Sequence, residues 1–246
     1  MKISFRFMAA GKSVTAAFLA WLLLVAAWNA HDFIFRYAGN GMPIDASDVL
    51  VLMMQPAVFG ILVFPEGAAA GILCKRDAFR YPVLMRMGSR VRIFRKQTAA
   101  SFICAAVLSG LFAVAAVGVS RAGGLALFSW QNADSLYQST AGGVCSFSFL
   151  PLLMVVLWSC WVRFAVAFLL QDILMWIRKA EWFLWVFVSM LICYEFTAYY
   201  SSLPTLCMIW RKDMLPYYTG ICAAATLFLT ALWYIGGRIC EKKDIL

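Results

Sequence analysis

The amino-acid sequence predicts an all-α, polytopic membrane protein that forms one transmembrane domain over residues 1–246. Hydrophobic residues make up 64% of the chain and charged residues 13%, whereas soluble globular chains have about 45 to 50% and about 25%. Six apolar segments reach the roughly 20 residues that a helix needs to cross the hydrocarbon. Lipid offers no partner for unpaired backbone groups, so each segment is predicted to be helical. The six predicted spans are residues 13–30, 49–73, 98–119, 144–170, 182–200 and 217–237.

The positions of Lys and Arg predict that the N and C termini are both cytoplasmic. With the N-terminus inside, sixteen of the 21 basic residues lie on the cytoplasmic side, which is the asymmetry that the positive-inside rule describes. Arg36, Arg121, Arg211 and Lys212 lie on the other side, and Arg163 lies within the fourth span. The net charge of +9 therefore reflects topology. It does not indicate the basic face of a soluble module that binds nucleic acid.

The first element is a short N-terminal interfacial segment, residues 1–12. Phe5, Phe7 and Met8 interleave with Lys2 and Arg6, a pattern that suits a helix lying at the lipid headgroups. A disordered basic tail is the alternative. The segment and the first span together imitate a signal peptide, but we expect an uncleaved membrane helix.

The second span contains Pro65 and Gly67, which we expect to interrupt its helix. Gly67 and Gly71 form a GxxxG pattern that lets two helices approach closely. The contact could lie within one subunit or across a dimer, and packing within one subunit is the favoured interpretation.

The cytoplasmic loop that follows, residues 74–97, carries eight basic residues and one acid, Asp77. Pro82 can begin a short helix, and Val83, Leu84 and Met87 then recur at helical spacing. A basic loop can simply set topology and contact anionic lipid. Its length and apolar pattern favour a second interpretation, a docking element for a cytoplasmic partner.

Three ionisable residues lie within predicted spans, where charge is costly and usually faces protein or water. Glu66 and Arg163 are at similar predicted depths, so we expect an ion pair between two helices; the alternative is that Arg163 reaches the inner headgroups alone. Glu195 lies in the outer half of the fifth span. It is either a polar element near an outer gate or a buried link to the next outer segment.

Tryptophans near the ends of the spans are expected in the interfacial belts of the membrane. These are Trp130, Trp182, Trp185, Trp210 and Trp233.

Catalytic and metal-binding motifs are absent from the sequence. Gly11, Lys12 and Ser13 match only the end of a P-loop, because Arg6 stands where the motif requires glycine. No GxSxG, HExxH, CxxC or CxxH pattern occurs, so we expect neither an enzyme nor a bound metal or cofactor. Cys145 and Cys207 are both expected near the outer face, and a disulfide between them is an open alternative. His31 is expected to be a solvated interfacial residue.

The basic N-terminal segment, six spans with both ends inside, and the Arg-rich loop together resemble the ABC-2-type permeases of bacterial ABC exporters. The local resemblance lies in Leu84, Arg86, Gly88, Ser89 and Arg90. It implies that residues 74–97 form a coupling helix that docks on an ATPase, and that residues 201–216 form an extracellular re-entrant segment. The residues that would contact the ATPase are Arg80, Leu84, Arg86, Gly88, Ser89, Arg90 and Arg92.

This resemblance implies a transport subunit of the bacterial plasma membrane. ATP and Mg would bind to a separate ABC ATPase, and a second permease copy or paralogue and membrane lipid would be the other partners. An apolar path with few fixed charges admits peptide, lipid or drug as cargo. Two alternatives remain open: a secondary carrier, and a non-transport immunity or sensor-coupling protein.

Overall fold

The computed structural model describes residues 12–76, 89–132, 134–141, 148–177, 189 and 214–242, and all regular secondary structure in these ranges is helical. The all-α fold class is thus confirmed for these residues. The helices are α1 (Lys12–Gly39), α2 (Ala46–Leu52), a π-helix (Pro56–Val63), α3 (Phe64–Arg76), α4 (Arg90–Ala122), α5 (Leu136–Ala141), α6 (Phe149–Ile177) and α7 (Met214–Lys242).

Three helices of the described ranges are long and apolar enough to cross a membrane: Arg90–Ala122, Phe149–Ile177 and Ala223–Lys242. The count of six spans and the orientation of the termini stay predictions. The fifth predicted span lies outside the described residues, apart from residue 189. So do residues 1–11 of the interfacial segment, residues 77–88 of the basic loop and residues 201–213 of the outer segment.

The observed helices extend beyond several of the predicted boundaries. α1 continues to Gly39, α4 begins at Arg90 and α6 ends at Ile177. Residues 90–97, predicted as loop, are therefore the first turns of α4, and residues 214–216 of the predicted re-entrant segment belong to α7. The apolar pattern ends where the hydrocarbon ends, but backbone hydrogen bonds can continue into the headgroups while Lys and Arg side chains reach water.

The second predicted span is broken near its N-terminal end, not at Pro65 and Gly67. Residues 53–55 form a turn after α2, and the chain then takes eight residues of π-helix. The π-helix ends at Val63, two residues before Pro65, and the N–H of Phe64 donates to the carbonyl of Phe59. Since proline has no N–H and crowds the preceding turn of an α-helix, the wider turn places the irregularity upstream of Pro65. α3 itself runs through Pro65 and Gly67.

The GxxxG pattern packs within the chain, as favoured from the sequence. A Cβ atom at Gly67 would overlap the ring of Phe164, and one at Gly71 would overlap the ring of Phe168. Both rings lie one turn apart on α6, so the glycines let the rings of α6 pack directly on the backbone of α3. Gly236 of α7 has the same relation to Phe94 of α4.

α4 is the central helix of the described bundle and packs against α1, α2, α6 and α7. Its N-terminal end meets the C-terminal ends of α6 and α7, because Phe94 and Ile173 both contact Gly236. We call this the basic end. Its C-terminal end meets the start of α2, where the N–H of Ala46 donates to the carbonyl of Ala126 over 2.9 Å.

Candidate functional site

The predicted coupling residues lie at the basic end as far as the structure describes them. Ser89 is the N-cap residue of α4, with extended backbone and no side-chain capping bond. Arg90 and Arg92 lie in the first turn, Arg92 exposed and Arg90 partly exposed. Arg80, Leu84, Arg86 and Gly88 are outside the described residues. The last basic residues of the predicted loop thus belong to the first turns of α4.

Buried residues in the same turn anchor this end of α4. Ile93 and Phe94 are 0% and 1% exposed, and Phe94 packs on Gly236 of α7. Arg95 and Lys96 point outward and are exposed. The first two turns of α4 therefore have one face held by the bundle and one basic face available to a partner.

Two turns further along, α4 and α6 are joined by a buried group that we call the polar ladder: Gln97, Ser101, Asp172 and Trp176. Ser101 Oγ lies 2.5 Å from Asp172 Oδ2, and Trp176 Nε1 donates to Gln97 Oε1 over 3.1 Å. Gln97 and Ser101 are one turn apart on α4, as are Asp172 and Trp176 on α6. Because both spacings are one helical turn, the Ser101–Asp172 and Gln97–Trp176 hydrogen bonds lie one above the other between the two helices.

The polar ladder is not fully hydrogen-bonded. Gln97 Nε2 and the neighbouring Gln171 Oε1 are buried without a hydrogen-bond partner among the described residues. Buried polar groups are nearly always paired, so such exceptions mark water sites or places that rearrange. Asp172 was not predicted as a site residue, because the predicted fourth span ends at residue 170, two residues before it. A longer window would have included a third acidic residue at membrane depth.

Glu66 and Arg163 do not form the predicted ion pair. Trp21 Nε1 donates to Glu66 Oε1 over 2.8 Å, and Glu66 Oε2 has no hydrogen-bond partner in the described ranges. Arg163 donates to Ser159 Oγ over 2.9 Å, and its guanidinium carbon lies 5.1 Å from the ring centroid of Phe59. Similar predicted depth did not bring the two side chains together, because each one contacts other residues. Glu195 lies outside the described residues.

At the opposite end of the bundle, a second buried polar group joins α2 to the segment after α4. We call it the carboxylate knot: Asp45, Asp48, Ser129 and Trp130. Asp45 Oδ1 accepts from the N–H of Asp48 over 2.8 Å, and Asp48 Oδ2 accepts from the N–H of Asp45 over 3.0 Å. This reciprocal pair is a capping box at the start of α2.

Donors from the segment after α4 occupy the remaining oxygens of the carboxylate knot. The N–H and Oγ of Ser129 donate to Asp45 Oδ2, and Trp130 Nε1 donates to Asp48 Oδ1 over 2.8 Å. The indole of Trp130 stacks on Tyr137 with ring centroids 4.5 Å apart. Trp130 is fully buried, so it packs against protein and not against lipid, and its depth relative to the membrane stays a prediction.

The two carboxyls of the knot lie together in the interior, with both residues 0% exposed. Asp48 precedes the predicted second span. Burial, together with the negative charge of Asp45, raises the pKa of Asp48 from 3.8 to about 7, although hydrogen bonds from the Asp45 backbone and Trp130 act in the opposite direction. The motif Asp45-x-x-Asp48 was visible in the sequence as a capping pattern, but its partners more than 80 residues away were not.

The other predicted sites give little further chemistry. In the described ranges no three His, Cys, Asp or Glu residues are grouped to hold a metal. His31 is exposed on α1, where Asp32 pairs with Arg36 at 2.8 Å. Cys145 and Cys207 lie outside the described residues. Comparisons with protein-family models, curated proteins and solved structures found no match for this chain.

Proposed function

We propose that this chain is the permease subunit of an ATP-driven ABC exporter in the bacterial plasma membrane. It would have six spans with both termini in the cytoplasm, pair with a second permease copy or paralogue, and be driven by a separate ABC ATPase that binds ATP and Mg. The cargo would be an amphipathic or hydrophobic peptide, lipid or drug. The chain itself would carry out no chemistry.

The observation that carries this proposal is that residues 90–97 of the predicted basic loop form the first turns of the central helix. Arg90 and Arg92 begin a helix of 33 residues that reaches the opposite end of the bundle at Ala122. A push applied at the basic end would act on a rigid rod about 48 Å long, at 1.5 Å per residue. Because α4 packs against α1, α2, α6 and α7, its movement would displace the helices around it.

The polar ladder would transmit that movement to α6. Ser101 and Gln97 of α4 hold Asp172 and Trp176 through hydrogen bonds, which resist sliding more than apolar contacts do because they are directional. The unpaired amide groups beside them leave room for a second arrangement of the same side chains.

The test is capture of the ATPase. The chain is co-expressed with its genomic neighbours and purified, and the expected result is recovery of a soluble ATPase that is lost in the Arg86→Glu/Arg90→Glu double variant. The matched control is Arg238→Glu/Lys242→Glu, which reverses two charges at the same end of the bundle on α7. Equal loss in both variants, or no ATPase with the unaltered chain, would contradict the proposal.

A secondary carrier is the second candidate, and the acidic residues Glu66 and Asp172 beside helices of membrane length favour it. A carrier of this kind would purify alone, and in liposomes an ion gradient would drive its transport of solute. Transport by the isolated chain without ATP would select the carrier over the exporter.

A further inference from the structure

The carboxylate knot holds two buried acids among neutral hydrogen-bond donors. Asp45 and Asp48 are both 0% exposed. Each carboxyl accepts from the other residue's backbone N–H, and the remaining donors are the N–H and hydroxyl of Ser129 and the indole of Trp130. No Lys or Arg in the described part of the chain pairs with either acid. Two neighbouring carboxylates without a cation repel each other, so this arrangement favours one charged and one neutral acid.

The donors indicate which of the two acids is neutral. Among the described residues, Asp45 accepts three hydrogen bonds and Asp48 accepts two. Hydrogen bonds to a carboxylate favour its charged form, so Asp45 carries the charge and Asp48 the proton. Burial and the charge of Asp45 raise the pKa of Asp48 in the same direction. A metal ion would need the same oxygens as ligands, and each of them already faces an N–H or O–H donor.

Other ionisable groups lie on the elements that pack against α2, namely α1, α4 and α6. Arg36 on α1 pairs with Asp32, and Arg121 on α4 is exposed and donates to the carbonyl of Leu125. The basic residues at the start of α4 and Asp172 of α6 lie toward the basic end. The remaining such side chains described on these helices, on the segment after α4 and on α5 are His31, Tyr37, Cys104, Asp134, Tyr137, Cys160 and Arg163.

The knot fastens the connecting segment, residues 123–132, to the start of α2. Asp45 binds Ser129, and Asp48 binds Trp130. Each acid therefore holds its own residue of the segment, and a change in the distance between the two acids disturbs both contacts. The ring of Trp130 is fully buried, so it cannot follow a displaced Asp48 without leaving its site.

We propose that the carboxylate knot is a proton-dependent clasp, which holds the connecting segment most tightly while Asp48 is protonated. When the O–H bond of Asp48 breaks, the electron pair stays on its carboxylate and the proton passes to water. Two negative charges then face each other, and their repulsion weakens the attachment of the segment to α2. In the predicted orientation this end of the bundle faces the outside, so the clasp responds to external pH.

The clasp does not depend on the ATPase partner, because its residues lie at the end of α4 opposite the predicted coupling residues. Capture of the ATPase and titration of Asp48 are separate measurements, so either can fail alone.

Infrared difference spectroscopy tests the proton. The full chain in lipid nanodiscs is titrated from pH 5 to pH 8, and we expect a protonated carboxyl C=O band that is lost reversibly near pH 7, where Asp48 titrates. The band is absent in Asp48→Asn and retained in the control Asp32→Asn, which replaces the acid paired with Arg36 on α1. If Asp48→Asn removes no such band from the spectrum at pH 5, the proposal is overturned.

Hydrogen–deuterium exchange tests the attachment. Protection factors of the connecting segment, corrected for the intrinsic effect of pH, are compared with those of α6 in the same sample. Asp48 binds its proton more tightly in the clasped form, so we expect protection of the segment to fall by about tenfold per pH unit from pH 5 to pH 7 and to level off above it. In Asp48→Asn the protection should not change with pH. The same fall in this variant, or no fall in the unaltered chain, would overturn the clasp.

Two further substitutions should move the infrared titration in opposite directions, and they apply even if Asp48→Asn does not fold. Asp45→Asn keeps a side chain suited to the N-cap and removes the neighbouring charge, so the band is lost at a pH lower by about one unit or more, a tenfold change in proton affinity. Trp130→Phe removes a donor that favours the charged form, so the band is lost at higher pH. Shifts in the same direction, or no shift in either variant, would overturn the proposal.

Discussion

The carboxylate knot and the polar ladder are both buried polar groups that join helix α4 or its end to a neighbour, but they differ in how completely they are hydrogen-bonded. All four carboxylate oxygens of Asp45 and Asp48 accept a hydrogen bond. In the ladder, Gln97 Nε2 has no partner among described residues, nor has Oε1 of Gln171, the residue before Asp172. A satisfied network rigidifies its surroundings, whereas an incomplete one costs stability in the arrangement that is observed. The comparison indicates that the hydrogen bonds of the knot are complete and those of the ladder are not.

Asp45→Ala should have the largest effect, because it leaves three donors of Asp48 and Ser129 unpaired. We expect the free energy of unfolding to fall by about 3 kcal/mol. Each buried unpaired group costs about 1–3 kcal/mol, and the loss of repulsion between Asp45 and Asp48 offsets part of that cost. Chemical denaturation in detergent micelles measures it. The control Asp32→Ala, an exposed acid paired with Arg36, should cost less than about 0.5 kcal/mol. Equal losses would contradict a special role for the knot.

Two matched tryptophan substitutions compare the ends directly. Trp130→Phe removes a donor to the carboxylate of Asp48, and Trp176→Phe removes a donor to the amide oxygen of Gln97. At pH 8 we expect a loss of about 2 kcal/mol for the first and about 1 kcal/mol for the second, since hydrogen bonds to charged groups are stronger. The order of the two denaturation midpoints checks this. A larger loss at Trp176 would reverse the comparison.

The knot should also make stability depend on pH. The pKa of Asp48 is raised in the folded chain from 3.8 to about 7, so the folded state binds the extra proton and its stabilising contribution is lost as the pH rises through that window. We expect Asp48→Asn to flatten the fall in melting temperature between pH 5 and pH 8 by a few degrees, about 2–4 °C per kcal/mol for a chain of this size. An Asp48→Asn chain that keeps the full slope would exclude Asp48 as its source.

Gln171→Met should have the smallest effect and the opposite sign. Replacing a buried, unpaired amide oxygen with an apolar group of similar shape is neutral or stabilising, and we expect a gain of up to about 1 kcal/mol. The same denaturation measurement applies. A loss greater than about 1 kcal/mol would show that Gln171 is hydrogen-bonded after all, and Gln97 Nε2 would then be the one unpaired amide group among the described residues of the ladder, compared with the knot.

Several features of the fold could be predicted because they depend on residues close in the chain. The helical class follows from apolar runs that lipid can accept only as helices, and the close approach of α3 follows from Gly67 and Gly71, whose small size admits the rings of Phe164 and Phe168. The predicted coupling residues were identified from a short basic pattern in the sequence. Ser89, Arg90 and Arg92 do lie together at the start of α4, while their role in docking stays a prediction.

The errors have physical reasons of two kinds. Helix ends were placed too early because hydropathy follows the hydrocarbon and not the backbone hydrogen bonds, and Asp172 was missed for this reason. The Glu66–Arg163 pair was inferred from depth alone. Whether two side chains at one depth meet depends on which neighbour offers a partner first, and here Trp21 and Ser159 do.

By itself, the sequence determined that this chain is helical, apolar enough for the membrane and basic in alternate connections, because each of these is a sum over neighbouring residues. The tertiary structure decided which buried polar groups meet. Asp45 and Ser129, or Ser101 and Asp172, are separated by 84 and 71 residues, and their hydrogen bonds depend on the rotation and offset of whole helices. Small differences in packing set those two quantities, and no local pattern records them.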